Sequence, residues 1–138
     1  MSTAIRPKNP VENWEQVRDE WVAAVEALIK DTESWAQHQG WGTLREPKQI
    51  TEDRLGTYEV PRLLIHDLFG RLVLDPTARF VMGVEGLVDL YVIPSWESEM
   101  IARTLEGWFL ILDDADGPRL PWSESVLVEA VKRLTAAP

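Results

Sequence analysis

Trp14, Trp21 and Trp35 stand in one seven-residue series, with Leu28 filling the remaining position. Residues seven apart lie nearly on the same side of an α-helix, and an indole buries more surface than almost any other side chain. The series therefore predicts a helix with one large apolar face. Val17, Val25 and Thr32 widen the stripe, whereas Glu12, Glu15, Asp19, Glu20, Glu26, Asp31 and Glu33, against Arg18 and Lys30, leave the rest of the helix acidic.

The ends of this helix are punctuated. Asn9 suits a cap, Pro10 the first helical position, Glu12 completes a capping box, and Gly40 stands where a left-handed residue ends a helix. A helix over residues 10–39 runs ~45 Å, whereas a compact domain of this length is on the order of 35–40 Å across. Three outcomes follow: the helix overhangs its sheet, bends, or starts later at Asn13, where Gln16 offers a second capping box. An overhang exposes Trp14 or Trp35 as an interface anchor.

Beyond Gly40 the periodicity changes to alternation of apolar and polar residues bounded by glycines, the pattern of strands and hairpins. Strands are expected near 44–50, 57–66, 71–82, 87–93, 100–105 and 108–112. Glu85-Gly86 and Glu106-Gly107 read as two-residue turns, and Leu68-Phe69-Gly70 as another reversal. Pro61 and Asp75-Pro76 remove ladder donors, so each marks an edge, a bulge or a break, and the third strand divides if Pro76 breaks it. Residues 51–54 fit a single helical turn, and 113–121 a loop. Ser123 caps a second helix, stapled by Trp122 onto Leu127, whose buried face is Leu127, Ala130, Val131 and Leu134.

The fold class expected is α+β: a long N-terminal helix, an antiparallel β-meander of five to six strands and a C-terminal helix, with both helices on one face of the sheet. Residues 1–9 form a tail and 10–138 one domain. Frataxin-like domains and some acidic secretion chaperones are similar in this order of elements, without a matching motif.

Charge and composition narrow the function. The net charge of −9 opposes contact with a phosphate backbone and suits a basic protein partner. There is no cysteine, hence no thiolate metal site or thiol nucleophile, which accords with a cytoplasmic location. No apolar run follows the N-terminal Arg6 and Lys8, and no run is long enough to span a bilayer, so neither a signal nor membrane residence is expected. No cofactor motif is present. Asp113-Asp114-Ala115-Asp116-Gly117 fails as a calcium loop because the register puts Leu112 and Ser123 at ligand positions. His38 and His66 lack partners at metal-ligand spacing. His38 suits the helix C-terminus, where its charge complements the dipole.

Two surfaces remain. Arg62, Asp75, Arg79, Asp89, Tyr91 and Arg103, with Glu59, fall among apolar neighbours on adjacent strands, and convergence on the face away from the helices would make a ligand or divalent-cation site. Cross-strand ion pairing on a wetted sheet explains the same residues more simply. The nuclease version fails for want of a lysine two residues beyond Asp89, where Tyr91 stands. The second surface is aromatic: Trp96, in Pro94-Ser95-Trp96-Glu97, is the tryptophan least explained by the core. The leading expectation is a non-enzymatic protein, monomer or homodimer, that binds another protein through Trp96 and the helix, as an immunity factor, antitoxin or chaperone-like adaptor does. A ligand- or metal-binding enzyme on the sheet face is the alternative.

Overall fold

The computed structural model describes residues 13–112 and 118–136. The expected tail, the Asn9 cap and the acidic loop at 113–117 lie outside the described residues. Helix α1 is Trp14–His38, followed by strands β1 (Gly42–Glu52), β2 (Gly56–Asp67), β3 (Gly70–Ala78), β4 (Leu87–Ile93), β5 (Ser98–Thr104), β6 (Gly107–Ile111) and β7 (Arg119–Pro121), then helix α2 (Glu124–Thr135). The strands form one antiparallel sheet in chain order, a meander of seven strands where five to six were expected. The additional strand, β7, is three residues inside the expected loop, too short for alternation to register, and is held by pairing with Phe109–Ile111.

The cap at Asn13 settles the length of α1. The Asn13 carboxamide oxygen accepts from the Gln16 amide at 3.0 Å, so the second capping box operates and the helix starts at Trp14, not Pro10. Twenty-five residues span ~37 Å, which matches the domain and leaves no overhang. Gly40 follows the cap residue Gln39 with φ +85°, as its position implied.

Trp21, Val25, Leu28, Ile29, Thr32 and Ala36 are the buried face of α1. Trp21 lies at its centre: the indole N–H donates to the Tyr58 hydroxyl at 2.9 Å, and the ring lies 5.9 Å from Trp108 on β6. The Tyr58 hydroxyl in turn donates to Glu52, whose carboxylate accepts from the backbone amides of Arg79 and Phe80. One chain of polar contacts thus ties the helix to the β1–β2 hairpin and to the segment leaving β3. Trp35 meets Trp122, whose indole donates to the Thr32 hydroxyl at 2.9 Å, and Glu124 at the start of α2 accepts from Gln39 and pairs with His38. These contacts, with Arg133 of α2 on Glu99 of β5, place both helices on one face of the sheet.

Prolines mark the irregularities. Pro47 and Pro61 are opposite each other in the β1–β2 ladder, and β2 pairs with β3 only from Leu63 onward, because Pro61 offers no N–H to continue. The buried positions of β2 change phase across the same point, from Tyr58 and Val60 to Leu63 and Ile65. In β3 the register slips between Pro76 and Ala78, and the strand ends there, short of Met82. Residues 53–55 form the β1–β2 turn, so the helical turn expected at 51–54 is absent, its first two residues being paired in β1. Glu85-Gly86 is not a turn either: both residues bond to the backbone of Arg103, extending the ladder beyond Leu87.

Gly86 has φ +151°, and a Cβ there would come within 2.2 Å of the Trp21 ring. Gly86→Ala is expected to destabilise the protein by about 1–3 kcal/mol through overpacking and backbone strain. In a Trp21→Leu background the added cost should fall markedly. Urea unfolding of the four proteins in this double-mutant cycle measures the coupling.

Candidate functional site on the open face of the sheet

In β3 and β4, Leu72, Leu74, Val88, Leu90 and Val92 point to the helices, so Val73, Asp75, Asp89 and Tyr91 share the opposite face. Four of the expected residues meet there: Arg62, Asp75, Asp89 and Tyr91. Asp75 is their hub, accepting from Lys48 Nζ at 2.6 Å and from the Tyr91 hydroxyl at 3.0 Å, with Arg62 Nη1 at 3.8 Å. Lys48 also donates to the Pro76 carbonyl, and Arg62 to Glu46. Lys48 escaped the sequence reading because it sits two strands from Asp75 in the sheet order, and alternation along β1 carries no information about its reach.

Arg79 and Arg103 do not join this cluster. The register slip at Pro76–Ala78 takes Arg79 out of phase with Asp75, and its guanidinium pairs with Glu85 at 2.9 Å. Arg103 is opposite Trp108 on the side of Ile101 and Leu110, the helix face. Three converging arginines are therefore not present, and Glu59 is exposed opposite Gln49. Among the described residues no group of three or more His, Cys, Asp or Glu side chains is placed to hold a metal ion. Asp75, its charge already met by Lys48 and Arg62, orders the face.

Asp89 differs from its neighbour. It lies directly across from Asp75 and makes no ion pair among the described residues. Burial pushes its carboxyl above the ordinary aspartate range; the Thr77 hydroxyl opposes this shift, Asp75 adds to it, and Lys48 opposes it more weakly. Burial, followed by the hydrogen bond to Asp75, also raises the Tyr91 phenol, keeping it a donor.

Beside Asp89 is a cleft of about 650 Å³ lined by Asp89, Tyr91, Trp96, Ser98, Glu99, Met100 and Ile111. Trp96 stacks on Tyr91 with ring centroids 5.3 Å apart and an interplanar angle of 27°, yet remains 64% exposed. Its amide donates to the Val92 carbonyl at 2.7 Å, and Val92 donates to Glu97, so the loop closes tightly on the end of β4. Trp96 has φ +66°, the only positive φ among the described non-glycine residues. A bulky side chain there costs ~1 kcal/mol relative to glycine, so the ring is held out at the expense of stability.

The other aromatic anchors expected at a partner surface are covered. Trp14 meets Phe80 edge-on at 5.8 Å beneath the Arg54 guanidinium, and Trp35 packs on Trp122; both are half-buried against the core. With α1 no longer than the domain, neither is carried past the sheet. Among the described residues no helix is long and apolar enough to cross a membrane. Comparison of the chain with protein-family models, curated proteins and solved structures gives no match.

The two facing aspartates should respond oppositely to substitution. Asp75→Ala removes the acceptor of the Tyr91 hydroxyl and the carboxylate partner of Lys48, which keeps the Pro76 carbonyl, and is expected to cost about 1–3 kcal/mol. Asp89→Asn should raise the melting temperature at neutral pH. Because the folded state holds the Asp89 proton more tightly than the unfolded chain, stability from this group is full below the ordinary aspartate range and falls as pH rises through the raised value. The gain in Asp89→Asn should therefore vanish in acid, which melting curves across pH would show.

Proposed function

We propose that this protein acts by binding a basic protein partner in the cytoplasm, as an immunity factor, antitoxin or chaperone-like adaptor does, with the end of the open sheet face around Trp96 as the contact. The observation that carries the reading is the combination at Trp96: a large ring, exposed, braced by Tyr91, and kept in a backbone conformation that glycine would adopt more cheaply. Aromatic side chains presented rigidly are frequent interface anchors, because little side-chain freedom is lost when they are covered. The net charge of −9 and Asp89, beside the ring and without an ion pair among the described residues, favour a partner of opposite sign.

The enzyme alternative has less to support it. Asp75 is engaged by Lys48, Tyr91 and Arg62, and Arg79 and Arg103 lie elsewhere, so the polar face supplies stability more readily than chemistry. Association as a monomer or a homodimer is compatible with the proposed role.

A photoreactive phenylalanine analogue at position 96 tests this in the cells that make the protein, with position 68 as control, since Leu68 is a fully exposed turn residue. A discrete protein adduct at 96 and not at 68 is the expected result, and binding of the purified partner should weaken as salt is raised. Equal adducts at both positions, or binding indifferent to ionic strength, would overturn the proposal.

A further inference from the structure

The protein uses one recognition geometry twice within itself. The Arg54 guanidinium lies 5.1 Å over the Trp14 ring, and the Arg79 guanidinium 5.2 Å over Phe80. The attraction is between a cation and the electron-rich ring face, and arginine is favoured because its plane stacks on the ring while its N–H groups bond sideways to a carboxylate. Arg79 does both, meeting Phe80 and donating to Glu85 at 2.9 Å.

Trp96 and Asp89 repeat this arrangement without the arginine. Tyr91 covers one face of the indole, and the 64% exposure leaves the other open. Asp89 and Tyr91 are two residues apart on one face of β4, about 7 Å between backbone positions, so a carboxylate borders the aromatic stack within the span of one long side chain. Lys48 is engaged on Asp75 and the Pro76 carbonyl, Arg62 on Glu46 and Asp75, and Arg133 on Glu99, while Arg71, also on this face of β3, stands opposite Ile93, four residues along β4 from Asp89. Asp89 is thus the carboxylate of the cleft that has no cation of its own among the described residues.

We infer that the cleft between Asp89 and Trp96 is a receptor for one arginine side chain of a basic partner, the guanidinium stacking on the open face of Trp96 and donating to the Asp89 carboxylate. This deepens the proposed function and rests on it. Ser98 and Met100 line the floor where the aliphatic part of the arginine would lie.

The test uses the whole protein and blocked single amino acids, Nα-acetyl-arginine amide and Nα-acetyl-lysine amide, titrated to millimolar concentrations while the Trp96 indole N–H is followed by NMR. The arginine derivative should shift that resonance saturably and bind about three- to tenfold more tightly than the lysine derivative. Asp89→Asn should weaken it about tenfold. Trp96→Gly, which removes the ring and suits the left-handed backbone, should abolish the shifts of neighbouring cleft amides while leaving the circular dichroism spectrum unchanged. Equal binding of the two derivatives, or arginine binding unaffected by Asp89→Asn and Trp96→Gly, would overturn the arginine receptor. If position 96 still cross-links a protein while the arginine derivative gives no shift, the receptor is overturned and the partner reading stands. If neither is seen, both fall.

Discussion

Trp21 is the side chain on which the architecture turns. It is fully buried, it donates to Tyr58 on the long hairpin, it lies against Trp108 on β6, and its ring occupies the space that any side chain at Gly86 would need. An indole can do this because it combines a large apolar body with a single donor, so it fills a wide gap between helix and sheet while fixing its own orientation. Tyr58 passes that constraint to Glu52, and Glu52 passes it to the backbone after β3. The hairpin beyond Pro61, which has lost its ladder to β3, is held by this chain of contacts in place of sheet pairing.

The opposite face is organised by charge. Asp75 draws Lys48, Arg62 and Tyr91 together and so sets where the Tyr91 ring stands, and Tyr91 in turn supports Trp96. The shared contacts make a rigid platform, although Arg62 Nε is buried within it without a hydrogen-bond partner among the described residues. At its border lie a partly desolvated Asp89 and an indole held outward. The stability relinquished at these two adjoining positions is what the proposed recognition role rests on, since binding sites are where local rules are most often broken.

Much of the fold was legible because it is local. The tryptophan series, Gly40, Ser123 and the alternating runs carry helix, strand and cap information within a few residues, and six of the seven strands overlap the expected segments. The turns were less legible. Glu85-Gly86 has turn composition yet pairs with Arg103, and residues 51–54 read as helical although the first two lie in β1, because in both places a partner strand overrides local preference. The polar cluster was half legible: alternation correctly linked Asp75, Asp89 and Tyr91. It misplaced Arg79, because one slipped residue near Pro76 reverses which side follows, and Arg103, because parity within one strand does not say which face that strand presents.

By itself the sequence determined an α+β meander between two amphipathic helices, an acidic surface, and a tryptophan, Trp96, in excess of what the core requires. Those properties depend on composition and on spacings of two to seven residues. Only the tertiary structure decided that Trp14 and Trp35 are covered, that Lys48 joins Asp75, and that Asp89 borders the exposed ring without a cation among the described residues. Each of these is a relation between strands or elements far apart in the chain, set by register and by its slip at Pro76–Ala78. Periodicity along one strand cannot encode them.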